Sequence, residues 1–270
     1  MCFNFRMERI QRGESEIAYH SIGSGPPLVL LHPFPVHHEF WLPAAEPLAA
    51  RYRVILPDLR GHGESGAGTG AATMRKHADD LERVMVNAGV AKAPMVGVSI
   101  GGYILFEFWR THKARVQALG LINTKAGADN AEARANRLKA ASEALERGTE
   151  PFFTALVQKL VSRTTRERRP DLVEGALKMM RKMSAASLAA VQRGMAERPD
   201  SMDTLQTINV PTLIVTGAED EMTGVNEAEL MRREIASSEM KVVPHAGHYS
   251  PWERPKEVAG LLREWLGKLS

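Results

Sequence analysis

Gly97-Val98-Ser99-Ile100-Gly101-Gly102 is the stretch of this chain whose residue types and spacing speak most directly of chemistry. It reads G-x-S-x-G and lies between an apolar run, Ala93 to Val98, and a helix-length stretch, Ile100 to His112. In a strand–turn–helix setting, such a motif lifts a serine hydroxyl out of a sharp turn at the C-terminal end of a strand. Small residues two positions to either side let strand and helix close around a strained backbone. The helix start also leaves amide N–H groups free to receive a developing oxyanion. The chemistry is acyl transfer with Ser99 as nucleophile, and it calls for a general base and an acid to orient that base. By residue type alone the base stays open between His245 and His248, and Asp220 competes with its neighbours Glu219 and Glu221. His32, His37 and His38 suggest a metal site, but no matching Asp, Glu or Cys ligand pattern follows them. Packing and loop polarity account for them better, so no metal is expected. Met179, Met180 and Met183 read as core or pocket lining.

Elements able to position these residues are visible as hydrophobic patterns. Met7 to Arg12 and Ser15 to His20 flank Gly13-Glu14 as a hairpin. Short apolar runs at Leu28 to Leu31, Arg53 to Leu56, Ala93 to Val98 and Val116 to Ile122 are typical of strands buried on both faces. Helical spacing at Thr73 to Asn87 and an all-round apolar stretch at Ile100 to His112 alternate with them, the pattern of a parallel sheet. From Lys125 to Leu205 the strand pattern stops. About four helices are expected there, at Glu132 to Arg147, Pro151 to Val161, Pro170 to Met183 and Ala185 to Glu197. Strands resume at Pro211 to Thr216 and Met240 to Val243, each followed by a helix (Asn226 to Ile235, Pro255 to Leu269). The expected architecture is a mostly parallel central sheet with helices on both faces. Residues 1–124 and 206–270 form the core, and 125–205 an inserted helical cap.

Leu30-Leu31-His32-Pro33-Phe34-Pro35 follows the first buried strand, and Asp58-Leu59-Arg60-Gly61-His62-Gly63-Glu64-Ser65 follows the second. With the Ser99 turn, with Pro211-Thr212-Leu213-Ile214-Val215-Thr216-Gly217-Ala218-Glu219-Asp220 and with Ala246-Gly247-His248, they resemble the α/β-hydrolase family. The resemblance spans both sheet segments and implies a triad in the chain order Ser99, Asp220, His248. Some members place the acid after an earlier strand, where this chain has Asn123 and Thr124. Members usually carry His-Gly where this chain has His32-Pro33, and proline has no N–H to give an oxyanion. The implied donors are therefore the backbone N–H groups of Phe34 and Ile100. Serine as nucleophile separates the chain from dehalogenase and epoxide-hydrolase members, which use an aspartate. Within the family it is similar to carboxylesterases and to enol-lactone hydrolases, which implies a small, fairly apolar ester or lactone as substrate and no cofactor. Carbon–carbon bond hydrolases, thioesterases and perhydrolases share the triad, and a catalytically silent receptor of the same fold is the non-enzymatic alternative. Phe34, Phe153, Leu156 and Tyr249 are the residues expected to touch substrate.

Composition narrows the field further. The 270 residues are 44% hydrophobic and 25% charged, as in an ordinary globular protein. The formal charge of +3 arises from 35 Lys and Arg against 32 Asp and Glu, mostly interspersed, so nucleic acid is not an expected partner. The densest basic run, Arg163, Arg166, Arg168 and Arg169, reads as a solvated helix end. One cysteine, Cys2, excludes an internal disulfide framework. No apolar run suits a transmembrane helix or a signal peptide, so a cytoplasmic protein is expected, starting at Met1 or Met7.

Overall fold

A computed structural model describes residues 6–12 and 14–269; Gly13 of the expected hairpin turn, Cys2 and Met1 lie outside the described residues. Eight strands form one sheet: β1 (Arg6–Arg12), β2 (Ser15–Ile22), β3 (Pro27–Leu31), β4 (Arg53–Pro57), β5 (Ala93–Val98), β6 (Val116–Ile122), β7 (Thr212–Gly217) and β8 (Ser238–Val243). Their spatial order is β1-β2-β4-β3-β5-β6-β7-β8. β1 and β2 pair antiparallel, as do β2 and β4, and every later pairing is parallel. Every residue of β5 and β7 is buried, so both faces of the sheet centre are covered. That is why these strands read as unbroken apolar runs rather than alternating ones. The edge strand β8 is mostly half-buried and begins two residues earlier than its apolar run suggests.

The helices are α1 (Leu42–Ala45), α2 (Met74–Asn87), α3 (Ile100–His112), α4 (Ala131–Arg147), α5 (Glu150–Leu160), α6 (Arg163–Arg168), α7 (Pro170–Met180), α8 (Ala185–Ala196), α9 (Met202–Leu205), α10 (Val225–Glu234), α11 (Ser250–Glu253) and α12 (Pro255–Gly267). α2 packs on α3, while α1 and α11 pack on α12. Between β6 and β7 stand six helices where about four are expected from pattern. The basic run is a helix of its own, α6, opened by Ser162, whose hydroxyl accepts from the Thr165 N–H. α9 is a single turn packed against α3 and α10. Both are too short for a hydrophobic period to register. Among the described residues no helix is long and apolar enough to cross a membrane.

The strand order turns around at β3, whose neighbours are β4 on one side and β5 on the other. In open α/β sheets the crevice at such a reversal, beyond the C-terminal strand ends, is where ligands bind. The parallel register brings those ends level: Leu31 pairs with Gly97, Val98 with Ile122, Ile122 with Val215 and Gly217 with Val243. The loops that follow therefore open on one rim.

A buried ion pair ties α2 to the turn after β4. Arg60 Nε and Nη2 each donate to an oxygen of Asp80 at 2.8 Å, and both residues are about 3% exposed. Burial raises the Asp80 carboxyl above its ordinary pKa, against the pull of Arg60 and Arg83. Replacing Asp80 by alanine leaves the buried Arg60 guanidinium with Glu14, 2.9 Å from Nη1, as its one remaining carboxylate partner among the described residues. Asp80→Ala should lower unfolding free energy by about 3 kcal/mol in urea titrations.

Candidate active site

Ser99 follows β5 directly and starts α3, with φ 54° and ψ −113°. A residue other than glycine rarely holds positive φ, and its cost must be met by surrounding contacts. Here the Ser99 N–H donates to Ile122 O at 3.0 Å, and its carbonyl accepts from Gly102 N–H at 2.9 Å and Thr124 Oγ1 at 2.8 Å. The flanking glycines are required by space. A Cβ on Gly97 would lie 2.4 Å from the Gly101 carbonyl carbon, and one on Gly102 would lie 2.4 Å from Thr124 Oγ1.

The loop after β7 carries Asp220, 8% exposed. Its Oδ1 accepts from the N–H groups of Met222 and Thr223, and its Oδ2 from Asn123 Nδ2 and Thr223 Oγ1, all within 3.0 Å. His248 Nδ1 lies 3.0 Å from Oδ2. Burial pushes the Asp220 carboxyl up, but the imidazole and the hydrogen bonds from His248, Asn123 and Thr223 outweigh it and hold the pKa well below the usual carboxylate range. His248 is thus the histidine brought to the acid. His245, exposed and at positive φ, lies beside Glu219 at 3.7 Å.

Ser99 and His248 share the wall of a cavity of about 210 Å³ with Phe34, Leu156, Leu160, Met195 and the polar side chains Lys125, Asp129, Arg137 and Gln192. Among the described residues, neither the Phe34 nor the Ile100 backbone N–H has a hydrogen-bond acceptor. Two of the expected substrate contacts are corrected. Tyr249 is fully buried off the cavity wall, and its hydroxyl donates to Phe34 O at 2.9 Å, bracing that loop. Phe153 is also fully buried, packed edge-on to Phe152, because its position on α5 points into the core, one turn away from Leu156. Met179, Met180 and Met183 are core and do not line this cavity.

The histidines of the first loops act as struts. His32 Nε2 accepts from Leu59 N–H, and its Nδ1 faces Pro33 O, both at 2.9 Å. Asp58, fully buried, accepts from the His38 N–H and lies 2.8 Å from His38 Nδ1, while its other oxygen accepts from Glu64 N–H. Among the described residues His20, His38 and Asp58 are close enough to share a cation. The two rings stack at 3.6 Å between centroids.

Sequence reasoning missed several supporting residues. Asn123, at φ 45°, joins the acid to the base loop by donating to Asp220 and to Gly247 O. Glu253, 3% exposed, accepts from Gly247 N–H and from Ser162 N–H, both at 2.8 Å. Asp220 with Thr223 is a local Asp-turn pattern that can be read from sequence. Asn123 acts across 97 and 124 positions, and Glu253 reaches Ser162 across 91, so these ties leave no such mark.

A family model described as the alpha/beta hydrolase fold matches residues 26–255. The chain is 24% identical over 237 residues to 3-oxoadipate enol-lactonase 1 of Acinetobacter baylyi, covering 87% of this chain and 86% of that protein. It superposes on a thermophilic esterase from Thermogutta terrifontis, solved with malate bound, with a TM-score of 0.94 and 36% identity over 98% of this chain and 99% of the other. An enol-lactonase from Burkholderia xenovorans LB400 shares the fold, with a TM-score of 0.90 at 22% identity over 96% and 100% of the two chains.

The low pKa of Asp220 links the site to stability. A carboxyl whose pKa is depressed on folding contributes stability that is present above its unfolded pKa of about 3.9 and lost as pH falls. The stability gap between wild type and Asp220→Asn should therefore be widest near neutral pH and shrink below about pH 4, as followed by thermal melts across pH.

Proposed function

The chain belongs to the alpha/beta-hydrolase family and is a hydrolase acting on ester bonds, and we propose that it cleaves small carboxylic esters or lactones through Ser99, His248 and Asp220. The observation carrying this reading is the hydrogen bond from His248 to a buried, ionised Asp220, on a ring that faces the same cavity as Ser99. With Nδ1 donating to Asp220, Nε2 is left as the base. It takes the proton as Ser99 Oγ attacks the ester carbonyl, then passes it to the departing alcohol. Water, deprotonated by the same nitrogen, attacks the acyl-serine, releasing the acid and restoring Ser99. The tetrahedral oxyanion is received by the free N–H groups of Phe34 and Ile100, each contributing about 2.7–4 kcal/mol by analogy with measured donors.

The resemblance to an esterase found with malate and to an enol-lactonase supports a small ester or lactone. A cavity of about 210 Å³ fits that size class. Residues 125–205 act as a helical cap in this reading, roofing the rim through Leu156 and Leu160 of α5 and Gln192 and Met195 of α8. The polar wall of Lys125, Asp129 and Arg137 departs from the fairly apolar substrate that the sequence suggests.

Ser99→Ala should lower ester turnover by several orders of magnitude with the fold intact, and an alkyl fluorophosphonate should label wild type but not the variant. His248→Ala should abolish turnover, whereas His245→Ala should keep it. Inactivity of His245→Ala with an active His248→Ala would reassign the base. Leu156→Ala should alter the ratio of kcat/KM between short and long acyl esters by about 1–3 kcal/mol. Phe153→Ala should instead cost about 3–5 kcal/mol of stability, read by denaturant titration.

A further inference from the structure

The cavity beside Ser99 carries more positive charge than it neutralises. Lys125, just beyond β6, and Arg137, on α4, line it, and Arg198, after α8, lies behind them with its ring-facing side over Tyr103 at 4.2 Å. Asp129, with its side chain only 2% exposed, lies within 4 Å of all three cations. Arg198 Nη2 donates to Asp129 Oδ1 at 3.0 Å, and Arg137 Nε donates to Asp129 Oδ2. Burial raises the Asp129 pKa, but Arg137 and Arg198 outweigh it and hold the group ionised. Both oxygens are thereby engaged.

Two sets of donors are left over. Lys125 Nζ stands 3.7 Å from Asp129 Oδ1, beyond hydrogen-bond reach. Arg137 Nη1 has only Gln192 Oε1 and Met195 Sδ, each at 3.3 Å, and among the described residues its Nη2 has no acceptor. Lys125 and Arg137 side chains are only about a quarter exposed (25% and 22%), so water screens them incompletely. An ammonium and a guanidinium edge with unused N–H groups in such a recess are matched by a carboxylate, which can accept from both. An apolar acyl chain would leave them unpaired.

Resting on the serine-hydrolase reading above, we propose that Lys125 and Arg137 form a carboxylate subsite, and that the substrates are short esters bearing a free carboxylate, such as monoalkyl esters of four- to six-carbon dicarboxylic acids. A volume of about 210 Å³ admits an acid of that length. Hydrolysis then releases a dicarboxylate and an alcohol. Asp129, itself held by Arg198, positions Arg137 by engaging its Nε.

The test compares monomethyl glutarate with its neutral isostere, the methyl ester of glutaramic acid, by pH-stat. Wild type should cleave the anionic ester with kcat/KM at least ten-fold higher. That ratio should fall toward one in Arg137→Gln and in Lys125→Gln, with folding of each verified by circular dichroism and melting. Glutarate should inhibit wild type competitively and each variant more weakly. Equal kcat/KM for the two esters in wild type overturns the subsite without any variant being needed. A preference that persists undiminished in both folded variants overturns the assignment to Lys125 and Arg137 and leaves the cluster as a tether between α4 and the sheet. If neither glutaryl ester reacts while short p-nitrophenyl esters are cleaved and Ser99 takes the phosphonate, the subsite fails and the serine-hydrolase reading stands. Loss of labelling and of all ester cleavage would end both.

Discussion

Ser99 holds its backbone at φ 54° and ψ −113°, and much of the surrounding structure serves to keep it there. Such a conformation costs of order 1–3 kcal/mol and survives only where neighbours over-determine it. Here they do so from three directions. The Ile122 carbonyl holds the Ser99 amide, Gly102 N–H and Thr124 Oγ1 hold its carbonyl, and the absence of side chains at 97, 101 and 102 lets α3 start against β5 and β3. The tight approach extends to the first loop, because a Cβ on Gly101 would stand 2.9 Å from Leu31 O, at the end of β3. The same closeness that strains the serine therefore brings the Phe34 loop alongside it.

Around that turn the other loops are tied by buried polar groups rather than by apolar packing. Asp220 takes four donors besides His248, and Asn123 links it to the base loop. Glu253 bridges Gly247 and Ser162, so the loop bearing His248 and the start of α6 share one carboxylate. Glu219 adds a second tie from the acid loop to α6 through the Thr164 N–H and hydroxyl. The helical insertion is thus coupled to the acid and base loops by directional bonds. Directional bonds define one geometry and are costly to leave half-made, which suits loops whose side chains must meet within hydrogen-bond distance.

The sequence blocks after β3 and β4 serve as scaffolding. His32, Asp58 and Ser65 spend their polar atoms on backbone groups of neighbouring loops, and Tyr249 reaches from the base loop to hold Phe34 O. Through His32 beside Pro33 O and Tyr249 on Phe34 O, they brace the loop that carries Phe34. The polar cluster of Lys125, Asp129 and Arg137 is different, since all three line the cavity itself.

The sequence by itself determined the parallel sheet and the sharp turn at Ser99. Strands buried on both faces must be apolar throughout, and a nucleophile in a sharp βα turn must be flanked by small residues. Both demands are local and are written in adjacent positions. Bounds missed by a residue or two at β7 and β8, and the short helices α6 and α9, reflect segments too brief for a period to register. Only the tertiary structure decided that Phe153 and Tyr249 turn into the core while Leu156 meets the cavity, that Glu253 ties the His248 loop to Ser162 and Asn123 ties it to Asp220, and that the three charges of Lys125, Asp129 and Arg137 line the cavity beside Ser99. Those outcomes depend on which helix face packs against which neighbour and on contacts between positions far apart in the chain, and neither is encoded in any local run of residues.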